Sequence, residues 1–277
     1  MGRSAGAGLL ALALLLALPA SARARCAPGL VRLPPPAKAI PAAYAAAAKG
    51  SVSIEWFGHA YFRLISPGGI RVVTDPFSRH RGYPIPRTNP HVVTIGKETP
   101  NHHGIDIVGG SPLVLRGLRE GGLEWGKVRR QVGDVWIFSI PIAQGGYGDD
   151  DYGSIFGKGA TFVFEMGGLC IAHLGDLAEP MNPSQLRRLG KVHLAFVVLS
   201  ERVSMGPEGA AEMVRRIGPR IAVPMHYYDD EETLERFIRS ARALGALHRV
   251  RRLKERRLLL HRKRLPPPTE ILLMRHD

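Results

Sequence analysis

The chain has 277 residues, a formal net charge of +14, and 45% hydrophobic against 22% charged residues. That is enough chain for one large core or two small ones, and too apolar for a disordered polyelectrolyte. Two cysteines exclude a disulfide scaffold or a Cys-rich zinc finger, and no aromatic nucleic-acid motif accompanies the basic excess, so nucleic acid is not an expected partner.

Residues 1–24 read as a secretory signal peptide. Arg3 precedes an apolar Ala/Leu stretch over residues 8–18, and small residues at alternate positions allow cleavage after Ala22 or Ala24. The stretch is short for a membrane span of about 20 residues. The predicted localisation is exported, either periplasmic or secreted. Residues 25–50 are a flexible Pro/Ala-rich leader, and the folded unit is predicted over residues 51–277. Export permits a disulfide. Cys170 lies in the apolar run Leu169-Cys170-Ile171-Ala172 and reads as a small buried core residue, with Cys26 in the flexible leader. A bridge between the two is the disfavoured alternative.

The folded unit opens with strand periodicity at Val52, Ile54 and Trp56, broken by Gly58-His59-Ala60 and resumed over residues 61–65. Pro67-Gly68-Gly69 turns the chain into a third strand ending at Asp75-Pro76. Further strands are predicted over residues 91–96, 113–115 and 128–142, the last as a pair joined near Gly133-Asp134. Residues 143–160 form a long Gly- and Asp-rich loop, followed by strands over 161–165 and 169–174. Strand–helix alternation then begins. Asn182-Pro183 starts a short helix, residues 194–199 form a strand buried on both faces, and residues 207–217 form a helix closed by Gly218-Pro219. A strand over 221–223 leads to His226. Asp229 or Asp230 caps a helix running to Leu244, and the tail holds strands over 257–261 and 270–274. Arginines crowd this last third, including Arg236, Arg249, Arg251, Arg252 and Arg257. A peripheral contact with an anionic membrane surface is one reading of them, and charges spread over solvated faces are the other.

Three strand ends carry metal-ligand chemistry: Lys97 to His103 after one, His173-Leu174-Gly175-Asp176 after another, and Met225-His226 after a third. Two imidazoles and a carboxylate, His102, His226 and Asp176, make a competent set for one divalent ion with an open position. His59 reads either as a site residue near the substrate or as a structural hydrogen bonder.

The combination of Trp56-Phe57-Gly58-His59-Ala60, Thr74-Asp75-Pro76, Gly82-Tyr83-Pro84, Pro100-Asn101-His102-His103, Ala172-His173-Leu174-Gly175-Asp176-Leu177, Met205-Gly206-Pro207-Glu208 and Val223-Pro224-Met225-His226-Tyr227 resembles the metallo-β-lactamase-fold hydrolases, in their lactonase-like and phospholipase-like branch. The resemblance implies an α/β fold, an αββα sandwich of two mixed β-sheets with helices outside and a metal site at one edge. It also implies a His-x-His-x-Asp-His motif. In register with Pro100 and His102, its positions read Lys97, Thr99, Asn101 and His102. A further histidine is expected near residues 140–143, where Gln144 is the nearest candidate. Asp176 matches the bridging carboxylate and His226 the last histidine.

The expected function is therefore an exported metal-dependent hydrolase with a reduced, mononuclear site acting on a lactone, ester or phosphodiester, with an anionic small molecule as substrate. The ion would be zinc, with iron or manganese as alternatives, held by His102, Asp176 and His226 with help from Asn101. Asp176, His59 and Lys97 are the expected catalytic residues. The alternative is a metal-free pseudoenzyme that binds an anionic ligand or envelope component. Lys97 separates the two. An ammonium about 4 Å from a dication is repelled by roughly 8 kcal/mol at an effective dielectric of about 20, whereas beside Asp176 it gains roughly 4 kcal/mol before desolvation.

Overall fold

A computed structural model describes residue 26 and residues 50–143, 157–202 and 204–276. The predicted signal peptide, most of the predicted leader and residues 144–156, with Gln144 and the Asp run, lie outside the described residues. Two large mixed sheets pack face to face. The first has six strands. β1 (Ser51–Trp56), β2 (Phe62–Ile65) and β3 (Arg71–Thr74) form an antiparallel meander, and β4 (Val92–Ile95) and β5 (Leu113–Arg116) extend it in parallel. A small ribbon, β6 (Leu118–Arg119) with β7 (Glu124–Trp125), follows.

The second sheet has eight strands. β8 (Arg129–Val132), β9 (Val135–Ala143), β10 (Lys158–Met166) and β11 (Leu169–His173) are antiparallel. β12 (Leu194–Val198) and β13 (Ile221–Met225) then run parallel to β11. The tail serves both sheets: β14 (Arg249–Arg252) and β16 (Glu270–Leu273) extend the second beyond β13, while β15 (Arg257–His261) pairs with β1 in the first.

Alternation in sequence sets the layers. Val52, Ile54, Phe62, Leu64, Val72 and Val92 face the second sheet and join its Phe162, Phe164 and Phe196 in the main core. The next residues along β3 and β4, Val73, Val93 and Ile95, face outward onto Phe57, Tyr61, Phe77 and Ile107. Helices α1 (Pro183–Leu189), α2 (Gly206–Ile217) and α3 (Glu231–Ala243) belong to the strand–helix half of the chain. Among the described residues no α-helix follows a strand of the first sheet; loops and 3-10 turns supply the residues over its outer face. Pro76, Pro84, Pro86 and Pro90 in the covering segment remove the amide donors a helix needs. The helix signals read from sequence locate the ends well. Asn182 and Gln185 form a capping box with Pro183 in the first turn, Asp230 caps α3, and Gly218 closes α2 at φ 59°.

Two readings are corrected. Cys26 and Cys170 are joined in a disulfide. Cys26 is therefore not loose: it is buried, and its carbonyl accepts the Lys191 N–H at 3.0 Å. The bridge spans 144 residues in sequence, a pairing that no local pattern announces. The arginine-rich tail also contains a strand, β14, that periodicity does not show. Its Arg249 and Arg251 lie against the buried Glu270 of β16, and Arg252 reaches Glu231 at 3.2 Å. Arg236 and Arg257 are likewise paired, with Glu208 and Glu55, so much of the basic excess is balanced locally.

The loop after β4 is tied down by close backbone approach. A Cβ on Gly104 would stand 2.1 Å from the Phe77 carbonyl oxygen. The Gly104 N–H also donates to the Pro76 carbonyl at 2.8 Å. Gly104→Ala is expected to lower stability by about 1–3 kcal/mol through this overpacking. A thermal melt matching the wild type would show that the two loops do not touch this way.

Candidate metal centre

Parallel strands end at the same edge, and here both sheets contribute. Asp75 follows β3 and Lys97 follows β4, while Asp176 follows β11 and His226 follows β13. His59 sits in the turn between β1 and β2. Two glycines bring the halves together. A Cβ on Gly96 would lie 2.8 Å from the Ala160 carbonyl oxygen of β10, and one on Gly175 would lie 2.9 Å from the same atom. With no side chain in the way, both chain segments close on one point, and the next residue of each is Lys97 or Asp176.

Lys97 Nζ donates to Asp176 Oδ2 at 2.9 Å, with the lysine side chain 2% and the aspartate side chain 0% exposed. His102 spans two carboxylates: Nδ1 lies 3.2 Å from Asp75 Oδ2 and Nε2 lies 3.2 Å from Asp176 Oδ2. Asp75 also accepts the Gly96 N–H at 2.7 Å through Oδ1, so it fixes the β4 end and the His102 ring together. His226 Nε2 faces Asp176 Oδ1 at 3.8 Å. The His59 ring packs against His226 at 3.8 Å between centroids.

The electrostatics follow from burial and these pairs. Burial opposes a charge on His102, but Asp176 and Asp75 outweigh it and push the imidazole up to about 9. Burial pushes His226 down to about 4, with His102 adding to the effect and Asp176 opposing it. His59 is lowered by burial and by the neighbouring His226 and His102. Burial alone would raise Asp176, yet His102, Lys97 and His226 hold it well below the usual carboxylate range. Asp176 is thus a fixed anion, unsuited to carrying a proton.

The backbone marks the same place. His59, Asp75, His226, Tyr228 and Asp229 all have φ between 36° and 60°, conformations that side chains other than glycine disfavour. Among the described residues Glu120 is the remaining non-glycine of this kind. Such strain gathers where a site demands it.

The donor set does not fit two ions. Lys97, Thr99 and Asn101 stand on the loop after β4, and the Lys97 ammonium already claims one oxygen of Asp176. It fits one. Ring nitrogens of His59, His102 and His226 lie within 4.8 Å of one another, all buried. His59 Nδ1, His226 Nδ1 and Asp176 Oδ1 are buried without a hydrogen-bond partner, whereas both ring nitrogens of His102 face carboxylates. Asp75 behind His102 supplies a carboxylate of the kind that orients a ligating imidazole, and to ligate an ion His102 Nε2 would have to exchange its Asp176 contact for the metal.

Of the residues expected from sequence, His102, Asp176, His226, Lys97 and His59 converge. Asn101 lies on the cavity wall instead, with its side-chain oxygen accepting the Ser78 hydroxyl at 3.4 Å. His59 stands with His102 and His226 rather than apart from them, and Asp75 holds the His102 ring, a role that its place in a strand-end loop did not reveal. His173 is structural, its Nε2 bonded to the Ala60 carbonyl at 3.0 Å, and His103 pairs with Glu98 away from the cluster. A cavity of about 570 Å³ opens above Lys97, His102 and His226, walled by His80, Arg81, Arg202 and Tyr228.

Two mixed sheets sharing a histidine–carboxylate centre at one edge define the framework of a metal-dependent hydrolase. The beta-lactamase superfamily domain matches residues 53–226, and the chain belongs to the metallo-β-lactamase-fold hydrolase superfamily. A UPF0173 metal-dependent hydrolase of Anaeromyxobacter sp. (strain K) is 27% identical over 211 residues, covering 65% of this chain and 76% of the relative. That of Rubrobacter xylanophilus is 28% identical over 235 residues, covering 71% and 91%. A crystal structure of a metallo-beta-lactamase superfamily protein from Thermotoga maritima superposes with a TM-score of 0.59 at 25% identity, covering 81% of this chain and all of its own.

Proposed function

We propose that the chain is an exported hydrolase that uses one divalent ion, held by His59, His102 and His226 with Asp176 Oδ1, to cleave an anionic ester or phosphodiester. The observation that carries this reading is the buried trio of histidines whose ring nitrogens lie within 4.8 Å of one another. Imidazole-rich sites suit zinc. When bound, the ion would supply Lewis-acid polarisation of the oxygen under attack. The protein supplies the rest. Asp75 holds the His102 ring, and Lys97 lines the cavity with its charge matched by the buried Asp176. Arg81 stacks on Tyr228 at 4.5 Å, with its Nε buried and without a hydrogen-bond partner, placed to receive an anionic group. Hydrolysis adds water across a C–O or P–O bond, the new bond forming from the water oxygen and the proton passing to the departing oxygen.

The Cys26–Cys170 bridge supports export, since such a bond persists in oxidising compartments. A peripheral contact with an anionic surface would fall to the basic turn Arg262–Arg264. The metal-free reading is favoured by one observation: Asp75 and Asp176 are already matched by His102 and Lys97. Metal analysis separates the two. Protein purified without chelator is expected to hold one zinc per chain, lost in His226→Ala together with turnover of an activated phosphodiester or ester. A wild-type protein that takes up no zinc, iron or manganese and shows no thermal shift with any of them would leave the metal-free reading standing.

A further inference from the structure

The two oxygens of Asp176 face different partners. Oδ2 receives Lys97 Nζ at 2.9 Å and His102 Nε2 at 3.2 Å. Oδ1 has no hydrogen-bond partner and points toward His226. The lysine is no surface residue that has folded inward. It is 2% exposed, it follows the glycine that closes on Ala160, and it lines the cavity floor. Desolvating an ammonium is costly, and a site needing only a filler of this length could use methionine. The chain keeps a charge there.

We propose that Lys97 is a built-in cation that shares Asp176 with the single metal ion, so that the centre works as an ion–ammonium pair bridged by one carboxylate. This rests on the one-ion reading above and adds the reason for it. Coulomb energy scales with the product of the charges. An ammonium beside a dication is therefore repelled half as strongly as a second dication at the same distance. One ion can bind next to Lys97 where two metals would need far more ligand charge, and two-metal centres normally draw on several carboxylates and histidines. The ammonium also keeps the cavity floor positive for an incoming anion. Lys97 thus fixes the stoichiometry at one and weakens the hold on that ion.

The consequence is opposite to that of a supporting residue. Lys97→Met removes the repulsion and leaves Asp176 seeking a cation, so zinc should bind at least tenfold tighter, still one per chain. Lys97→Arg should stay near the wild type. The readouts are zinc content by mass spectrometry and zinc affinity by competition with a coloured chelator, with Lys97→Gln as the second variant should Lys97→Met fail to fold. Unchanged or weaker zinc binding in the neutral variants would overturn the proposal, as would two zinc ions in the wild type. Zinc in Lys97→Met but none in the wild type would refute the one-ion reading and the ion–ammonium pair with it, leaving Lys97 as a cation that excludes metal. Zinc in neither would refute both.

Discussion

Asp176→Ala is expected to lower stability by about 3–5 kcal/mol and to abolish zinc binding. The loss comes from what remains behind. Lys97 stays buried with its carboxylate partner gone, and His102 keeps only Asp75. Removing one member of a buried ion pair strands the other, and the stranded charge dominates the cost. Chemical denaturation with an unchanged m-value measures it, and for a domain of this size the melting temperature should fall by roughly 10 °C. The double variant Asp176→Ala/Lys97→Met removes both charges and should recover most of the loss, because coupled neighbours are not additive. Full additivity in that cycle would mean that the two side chains do not interact as the 2.9 Å contact indicates. Zinc binding should stay absent in the double variant, which separates the stability role of Asp176 from its ligand role.

Much of the framework was legible because local patterns and the tertiary fold agree. Alternation in β1 to β3, the unbroken apolar run of β12, the Asn182-Pro183 start of α1 and the Gly218 stop of α2 each mark their element directly. β14 escaped because a strand of Arg249, Arg251 and Arg252 is written in charges, and it becomes a strand only where the buried Glu270 lies beside it. The site was half legible. Strand ends pointed to His102, Asp176 and His226, and the resemblance set Lys97 among missing ligands. Where Lys97 would go was open from sequence, between solvent and Asp176. The answer lies in Gly96 and Gly175 meeting the same carbonyl of Ala160, a contact between segments far apart in the chain. His59 joins the other histidines through a left-handed turn at φ 52° that its sequence neighbours permit but do not require.

Removing the Cys26–Cys170 bridge is expected to cost at least as much as Asp176→Ala, by an unrelated route. The cross-link closes a loop of 144 residues, and on the chain-entropy account a loop of that length restricts the unfolded chain by about 5 kcal/mol. Cys170 lies in β11 with its N–H donating to His193 Nδ1 at 2.8 Å, and both cysteines are about 1% exposed. A Cys26→Ala/Cys170→Ala variant, or reduced wild-type protein, should therefore melt roughly 10–20 °C lower. Because the bond acts mainly on the unfolded chain, zinc stoichiometry and affinity at 25 °C should not change, even though β11 leads directly to Asp176. That contrast is the test. A melting loss accompanied by weaker zinc binding would mean that the bridge holds the β11 end in place, and an unchanged melt would mean that the leader is not joined to the sheet in solution. Asp176→Ala should strip the ion and lower the melt together, while the cysteine variant should lower the melt alone.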